Sequence, residues 1–364
     1  MAKKSKSKVS KAKSSKKKIT KVHLFAIVVI LGLGSYGVIE AEPGNIITNL
    51  LPDNSSVSTD SYISDQGTIN VYFCPREDCE NAFLQFISSA ENSLHCALYE
   101  IDMPSVQQKL LEMERNGKLE VRIVTDDDYL KEFNHSFVKV DSYGLMHNKF
   151  CILDGKKISG GSMNPTLNDM TRNNNNLLLI ESEVLARNYE EEFAEMWNGT
   201  FKKGEKVRQP MLKIGDTLVS NYFCPEDQCA FQVKEELKKA KESIHFMTFS
   251  FTNDLIGNMI LLKKMDNLTV RGVMDIQQVS KDSQFHVFSN QGIDVLKDGN
   301  KYKLHHKVFI IDNETVITGS FNPTGNGDKN NDENVLIIKD KDLARKYLDE
   351  WEMVYGEASD FIKD

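Results

Sequence analysis

The segment HNKFCILDGKKISGGSMNPT, residues 147–166, is the strongest signal in this sequence because it returns as HHKVFIIDNETVITGSFNPT, residues 305–324. In each copy a histidine stands two residues before a lysine and seven before an aspartate. A Gly-Ser pair and an asparagine then follow at the same spacing. A lone His-x-Lys is common by chance. Two copies with identical internal spacing indicate a duplication within the chain.

Further segments repeat in the same order, so the duplication covers most of the chain. VYFCPREDC from Val71 is matched by NYFCPEDQC from Asn221, and LARNYEEEF from Leu185 is matched by LARKYLDEW from Leu343. Two copies are too few for a solenoid, so the sequence predicts two similar lobes in one chain. The second copy is longer by nine residues before His305. We expect this insertion to enlarge a loop.

Each half alternates short β-rich segments with segments of helical periodicity. In the first half the predicted helices are residues 104–116 and 184–197. The predicted strands are centred on NVYFC, LHCALYEI, EVRIVT, NKFCIL and NLLLI. This alternation predicts an α/β sandwich with a mixed sheet in each lobe.

The repeated motif places its reactive side chains on one face of a strand. Side chains two apart project to the same side, so His147 accompanies Lys149 and His305 accompanies Lys307, whereas His306 points to the other face. An imidazole can act as a nucleophile or as a proton donor near neutral pH, and lysine supplies a positive charge. Serine and asparagine donate hydrogen bonds, which suits a phosphate oxyanion. The expected phosphate-binding residues are Ser162, Asn164, Ser320 and Asn322.

The two copies of His-x-Lys-x4-Asp-x6-Gly-Ser-x-Asn resemble the phospholipase D superfamily, and the resemblance covers most of residues 69–356. It implies two similar α/β sandwich lobes related by a pseudo-twofold axis, with the active site at their interface. It also implies a phosphodiesterase in which one histidine attacks phosphorus to form a phosphohistidine. The other histidine protonates the leaving oxygen and then activates water. No metal or other cofactor is expected.

The resemblance also assigns roles to individual residues. The expected catalytic residues are His147, Lys149, Asp154, His305, Lys307, Asp312 and Glu333. In the family an acid or amide eleven residues after the motif asparagine orients a catalytic histidine, and these positions hold Asn175 and Glu333. By similarity to tyrosyl-DNA phosphodiesterase, Glu333 would orient His147 as the nucleophile, and His305, near Asn175, would be the proton donor. The motif aspartates are expected to hold the lysine or nearby backbone rather than to act as bases.

Charge is distributed unevenly along the chain. The net charge is −8, yet residues 1–21 contain ten lysines and no acid, so the remainder has an excess of 18 acidic groups. A body of that charge does not attract polyanions through its overall field, and phosphate binding must depend on local cations. This argues against a general nucleic-acid coat protein.

An uncharged run, residues 24–39, follows the lysines. It is slightly short for a membrane-spanning helix, and a cleaved signal peptide is the alternative interpretation. We expect a single-pass membrane protein with a cytoplasmic N-terminus and an extracytoplasmic catalytic body, or a secreted protein if the segment is cleaved. The predicted divisions are a lysine-rich tail (1–21), a transmembrane anchor (22–39), a polar linker (40–67), a first repeat (68–204) and a second repeat (205–364).

Six cysteines include two Cys-Pro-x3-Cys loops at equivalent places in the two halves. Outside the cytoplasm each loop could close as a local disulfide. The candidate pairs are Cys74 with Cys79 and Cys224 with Cys229. Zinc binding is disfavoured because the pairs belong to separate lobes. Cys96 and Cys151 lie within apolar strands, which predicts core packing.

The sequence therefore predicts a phosphodiesterase that acts on a phospholipid, by hydrolysis or by transfer. A nuclease acting on DNA or RNA is the main alternative, and a narrow basic cleft would suffice for a single strand. An inactive binding protein is less favoured because neither motif has lost its histidine or lysine. The expected partners are the substrate and, through the anchor, a membrane. A second chain is not required because both motifs are in one polypeptide.

Overall fold

The computed structural model describes residues 62–141 and 144–363. The β-strands are β1 (Ile63–Asp65), β2 (Ile69–Cys74), β3 (Ser93–Leu98), β4 (Glu120–Thr125), β5 (Val138–Val140), β6 (Leu145–Met146), β7 (Lys149–Leu153), β8 (Lys157–Gly161), β9 (Asn175–Glu181), β10 (Met211–Ile214), β11 (Thr217–Cys224), β12 (Ser243–Thr248), β13 (Thr269–Met274), β14 (Asp294–Lys297), β15 (Lys307–Ile311), β16 (Thr315–Gly319) and β17 (Asn331–Lys339). The α-helices are α1 (Cys79–Ser88), α2 (Pro104–Asn116), α3 (Leu167–Thr171), α4 (Glu183–Trp197), α5 (Cys229–Leu237), α6 (Asp254–Met265), α7 (Gln284–Asn290), α8 (Gly325–Lys329) and α9 (Lys341–Lys363).

Two sheets have the same strand order, which is how the sequence duplication appears in the fold. The first sheet runs β2-β9-β8-β7-β3-β4-β5, and the second runs β11-β17-β16-β15-β12-β13-β14, with β10 and β1 beside β11. In both, the last three strands are parallel to one another and the strands that precede them, from β2 or β11 onward, are antiparallel. At the outer edge of the second sheet β1 pairs with β10 in parallel. The predicted α/β architecture of two similar lobes with mixed sheets is confirmed.

Three hydrophobic cores attach the helices to the sheets. Helices α1 and α2 cover one face of the first sheet, and α5, α6 and α7 cover the equivalent face of the second. The opposite faces of both sheets share a third core with α4 and α9. Because both faces of the central strands are buried, these strands appear in the sequence as nearly continuous apolar runs.

The insertion in the second repeat forms a helix rather than the longer loop that we expected. Ser283 caps α7 by accepting a hydrogen bond from the Phe285 N–H. Phe288 is fully buried in the core of the second lobe, and Phe285 packs against that core. Residues three apart on a helix share a face, so this pair gives the inserted segment a buried side.

A buried ion pair ties the loop after β2 to helix α9. The guanidinium of Arg76 places Nη1 2.7 Å from Glu350 Oε1 and Nη2 2.7 Å from Glu357 Oε1. The Glu350 side chain is fully buried, and its Oε1 lies 3.2 Å from Nε2 of His306. A buried carboxylate needs such partners, because an unpaired one would be strongly destabilising. Residues of both repeats therefore share this network.

Three disulfide bonds join cysteines of the described region. They link Cys74 to Cys79, Cys224 to Cys229 and Cys96 to Cys151. For the last pair we expected core packing alone. The two residues stand directly opposite each other on β3 and β7, with Cα atoms 4.0 Å apart. This cross-strand register is not visible in the sequence, since it depends on which strands pair.

The structure does not support the predicted membrane localisation. The tail (1–21) and the apolar segment (22–39) lie outside the described residues. Within the described ranges no helix combines the length and the apolar character needed to cross a bilayer. The longest, α9, carries charged side chains along its whole length. The prediction of a single-pass membrane protein with an extracytoplasmic body is thus contradicted.

Candidate active site

The two His-x-Lys segments lie where the repeats meet, and each is held by the opposite repeat. Strand β6, which leads into the first motif, pairs with the beginning of β17. The His147 N–H donates to the carbonyl of Asp332 at 3.0 Å, and the His305 N–H donates to the carbonyl of Asn174 at 2.9 Å. These backbone hydrogen bonds place both histidines at one interface.

The first histidine is oriented by a carboxylate of the second repeat. Nδ1 of His147 lies 2.8 Å from Oε2 of Glu333, which is fully buried. The Ser320 hydroxyl donates to the same oxygen at 2.7 Å, and Asn331 Nδ2 donates to Oε1 at 3.1 Å. A carboxylate only accepts hydrogen bonds, so the ring proton sits on Nδ1. The lone pair of Nε2 is then free for attack.

The second histidine is oriented by an amide of the first repeat. Nδ1 of His305 lies 2.8 Å from Oδ1 of Asn175, and the Ser162 hydroxyl donates to that same oxygen at 3.1 Å. The amide oxygen fixes the ring in the way that Glu333 fixes His147. It does so without bringing a negative charge.

A buried aspartate, which sequence reasoning missed, supplies that charge. Oδ2 of Asp169 lies 3.4 Å from Nδ1 of His305, and the carboxylate accepts hydrogen bonds from Asn164 and Asn173. Burial alone would raise the pKa of Asp169, but His305 and these amides hold it well below its usual value. The equivalent residue of the second repeat is Gly327, so the duplication gave no signal. The amide at residue 175, where the other repeat has a carboxylate, was a sequence signal for another acid near His305.

Both motif lysines are buried and turned toward the site. Nζ of Lys149 donates to the carbonyl of His147 at 2.6 Å, and Nζ of Lys307 donates to that of His305 at 2.7 Å. Burial lowers the pKa of Lys149 to about 8. Burial and then the neighbouring charge of Lys149 lower the pKa of Lys307 well below its ordinary value. Two buried ammonium groups that repel each other favour an anion beside them.

Burial also keeps both imidazoles neutral in the free protein. It lowers the pKa of His147 to about 4, although the charge of Glu333 opposes the shift. Burial and then Lys307 lower the pKa of His305 to about 3, and Asp169 opposes this shift. At neutral pH either ring can therefore accept a proton or attack an electrophile. An anionic substrate would favour protonation of one of them.

Two aromatic rings flank the histidines at equivalent positions. Tyr99 presents its ring edge-on to His147 at 4.8 Å between centroids, and Phe249 does so to His305 at 5.0 Å. Nζ of Lys149 lies 5.0 Å from the Tyr99 ring centroid. These rings fix the imidazole planes and shield them from water. Their matching places one residue after β3 and β12 were a sequence signal that the motif analysis did not use.

The structure places the motif serines behind the histidines rather than toward a substrate. Ser162 and Ser320 are fully buried and bond the residues that orient the rings. Their role as phosphate ligands stays a prediction, and in the free protein their hydroxyls donate to Asn175 and Glu333. The motif asparagines differ from them. Oδ1 of Asn164 and of Asn322 is buried and has no hydrogen-bond partner in the described part of the chain.

The motif aspartates lie at the far end of their strands and do not join the histidines. Asp154 accepts hydrogen bonds from the backbone N–H groups of Glu91, Asn92 and Ser93. Asp312 accepts three from the equivalent turn, residues 241–243. Burial tends to raise the pKa of Asp154, but these N–H groups leave it below the usual value. Both residues therefore secure a turn, in keeping with the expectation that they hold nearby backbone rather than act as bases.

Comparison with known proteins gives matches to both repeats. The family model described as "Cardiolipin synthase, PLD-like domain" matches residues 83–197 and 233–355. A phospholipase D of Rickettsia felis is 37% identical over 134 residues, which span 36% of this chain and 67% of that protein. A mitochondrial cardiolipin hydrolase of Mus musculus is 33% identical over 122 residues, 33% of this chain and 55% of that protein. The structure of a phosphatidylserine synthase of Haemophilus influenzae aligns with a TM-score of 0.56 and 13% identity, covering 78% of this chain and 85% of that one. That last likeness concerns the fold alone.

Replacing either motif aspartate by asparagine is expected to reduce stability and to spare turnover. Asp154→Asn and Asp312→Asn each weaken several bonds to backbone N–H groups, at a cost of about 1–3 kcal/mol. Urea unfolding measures the stability, and hydrolysis of bis(p-nitrophenyl) phosphate per folded molecule measures turnover. Because folding lowers the pKa of Asp154, the deficit of Asp154→Asn should shrink as the pH falls below the ordinary value of 3.8. A loss of kcat without loss of stability would contradict the assignment.

Proposed function

The chain belongs to the phospholipase D superfamily, and from that membership we propose that it hydrolyses phospholipid phosphodiesters through a covalent phosphohistidine. The observation that carries the proposal is the pairing of two buried lysines with two histidines across the repeat interface. Each lysine uses one N–H on its own histidine carbonyl, which leaves further N–H groups for the non-bridging oxygens of a phosphodiester. The substrate anion would offset the repulsion between Lys149 and Lys307.

In the first step Nε2 of neutral His147 attacks phosphorus. The new N–P bond forms as the bond from phosphorus to the leaving oxygen breaks, and the proton on Nε2 of His305 passes to that oxygen. The leaving group departs as a neutral alcohol. The phosphoryl group remains on His147, whose positive charge is stabilised by Glu333 through Nδ1.

In the second step a water molecule replaces the alcohol. Nε2 of neutral His305 accepts a proton from water while the water oxygen attacks phosphorus. The N–P bond breaks, which restores neutral His147 and releases a phosphomonoester. An alcohol in place of water would give transfer instead of hydrolysis. The proton taken from water then lies on His305, and the next anionic substrate favours that protonated ring.

Two contacts support this division of roles. Glu333 is the carboxylate closest to His147 and would balance the cation that forms when that ring becomes phosphorylated. His305 must carry a proton before the first step, and Asp169 at 3.4 Å favours the protonated ring. Asn175 holds the ring without adding a second charge. A proton donor needs to release its proton readily, and a single carboxylate at this longer distance fits that need.

The two flanks of the site differ in charge, which bears on the substrate. Glu100 follows Tyr99, and burial and then Asp102 raise the pKa of Glu100 to about 7, although the charge of Lys303 opposes the shift. Beside His305, Nζ of Lys303 lies 5.6 Å from the ring centroid of Phe249. The leaving group would enter the His305 side and meet a positive charge. The retained group would lie on the acidic side.

This asymmetry favours a phosphodiester whose leaving group carries a further negative charge and whose retained group carries none. Cardiolipin has this form, because its leaving half carries another phosphate and its retained diacylglycerol half carries none. A nucleic acid has phosphates on both sides of each diester, so one of them would meet Glu100, whose ionised form would repel it. The similarity to a phospholipase D and to a mitochondrial cardiolipin hydrolase supports the same choice.

A side-by-side assay tests the substrate class. We expect product release from cardiolipin and phosphatidylcholine in mixed micelles, with a higher kcat/KM for cardiolipin. Lys303→Gln should lower kcat/KM for cardiolipin about three- to tenfold, as expected for one exposed charge, and should change that for phosphatidylcholine little. Lys281→Gln, an exposed lysine of the loop before α7, is the control. Cleavage of single-stranded DNA alone would overturn the phospholipid proposal in favour of a nuclease.

Denaturing capture of the labelled intermediate tests the nucleophile. With phosphorus-labelled substrate, wild type and His305→Ala should retain acid-labile label, because both keep the attacking imidazole of His147. His147→Ala should retain none. The reverse pattern, with label in His147→Ala and none in His305→Ala, would exchange the two roles.

The pH profile tests whether Asp169 supports the proton donor. Its negative charge raises the pKa of His305, so Asp169→Asn should lower that pKa further. The fraction of His305 that is protonated in the substrate complex then declines at a lower pH, and the alkaline limb of the kcat profile should move to lower pH. A p-nitrophenyl diester needs little protonation of its leaving group, so the variant should lose much less activity on it. An equal loss on both substrates would indicate a structural role instead.

A further inference from the structure

The two repeats differ sharply at one pair of equivalent positions outside the active site. In the first repeat the Cys-Pro loop carries Arg76, and the facing helix of the second repeat carries Glu350; their side chains are 2.7 Å apart. In the second repeat the matching loop carries Glu226, and the matching position of α4 carries Glu192. Where one side of the molecule has a cation against a buried acid, the other side has an acid against an acid.

The surroundings of the two pairs correspond closely. Glu77 accepts a hydrogen bond from the Phe73 N–H, and Asp227, at the matching place, accepts one from the Phe223 N–H. Phe73 packs edge-on against Tyr347 of α9, and Phe223 packs edge-on against Tyr189 of α4. The backbone and packing are therefore alike on the two sides. The partners of the buried acid differ: Arg76 and His306 contact Glu350, whereas Glu226 and Asn148 hold the matching positions.

Glu192 is left without a partner by this change. Its side chain is buried, with 7% of the residue exposed, and within the described ranges it makes no hydrogen bond or ion pair. Oε2 of Glu226 is also buried and unbonded there. A buried carboxylate in this situation is costly unless it is protonated or paired. Burial and then Glu226 raise the pKa of Glu192 well above its usual value.

A cavity of about 260 Å³ opens beside Glu192, between α4 and residues 205–208. Phe223 and Asn188 form its inner wall. The charged groups that face Glu192 come from four elements: Glu191 and Glu195 of α4, Glu205, Lys206 and Arg208 of the following segment, Glu226 and Asp227 of the loop, and Asp332 of β17. The acids outnumber the cations. In the described chain no ion pair joins Lys206 or Arg208 to any of them.

We propose that this cavity binds an organic cation of the guanidinium or primary ammonium class, which pairs with Glu192 as the Arg76 guanidinium pairs with Glu350. The ligand would supply from solution the charge that the first repeat supplies from its own chain. The N–H groups of such a cation would satisfy the unbonded carboxylate oxygens. Its binding would require Glu192 to lose its proton.

The chemistry of the cavity favours an organic cation over a metal ion. The volume exceeds that of a bare ion, and the acids do not converge on a point. Among the described residues, the group of acids with the spacing of a metal site is Asp126, Asp127 and Asp128, which lies elsewhere. In the equivalent place the fold already accommodates a planar guanidinium that bridges two carboxylates.

Thermal unfolding with simple cations tests the site on the whole protein. Propylguanidinium and propylammonium should raise the Tm of the wild type in a saturable way, by about 2–4 °C at ten times the Kd. Tetramethylammonium, which has the same charge and no N–H, should not. The apparent affinity should increase with pH, because deprotonated Glu192 is the binding form. Glu192→Gln should abolish the shift, and Glu183→Gln, an exposed acid of the same helix, should retain it.

A second variant tests the equivalence directly. Glu226→Arg restores on this side the pairing that Arg76 makes with Glu350, so the variant should unfold at a higher Tm than the wild type without ligand. It should also lose the response to propylguanidinium. The proposal fails if the wild type shows no saturable shift, if Glu192→Gln shifts equally, or if Mg²⁺ or tetramethylammonium reproduces the effect. It also fails if Glu226→Arg unfolds at a lower Tm and still binds propylguanidinium.

Discussion

A buried imidazole that is to react through one nitrogen needs a fixed partner for the other, and in this fold that partner comes from the opposite repeat. The hydrogen bond from His147 to Glu333 and that from His305 to Asn175 cross the interface in opposite directions. Much of the surrounding structure supports these two hydrogen bonds. Ser162 and Ser320 hold the acceptor groups in place, the rings of Tyr99 and Phe249 pack against the imidazoles, and the third hydrophobic core joins the two sheets.

The twofold arrangement of the repeats places the two histidines opposite each other. The differences between the repeats give the two histidines different roles. A symmetric pair of histidines with identical partners would have no basis for choosing a nucleophile. Here a carboxylate faces one ring at 2.8 Å, whereas the other ring has an amide at 2.8 Å and a carboxylate at 3.4 Å. Small local substitutions have therefore given two similar halves different electrostatic environments.

The residues that could be predicted from the sequence are those whose role follows from repetition. The duplicated motif fixed both histidines and both lysines, and the strand and helix periodicities gave the two mixed sheets. Asp169 could not be found in this way because it occurs in one repeat only. The partners of the serine hydroxyls could not be predicted because spacing along a strand gives the face of a side chain but not its partner across the sheet. The bond between Cys96 and Cys151 was missed for the same reason.

The crossed hydrogen bonds have a consequence for how such a protein can change over generations. In an assembly of two identical subunits, any mutation alters both halves of the site at once. A change that favours the role of one histidine therefore also changes the surroundings of the other. Here the two halves are encoded separately within one gene. An amide, Asn175, can therefore stand at the position that is equivalent to Glu333. Asp169 nearby then supplies the negative charge that the amide lacks. Because the repeats are fused into a single polypeptide, the surroundings of each histidine can be altered by separate mutations.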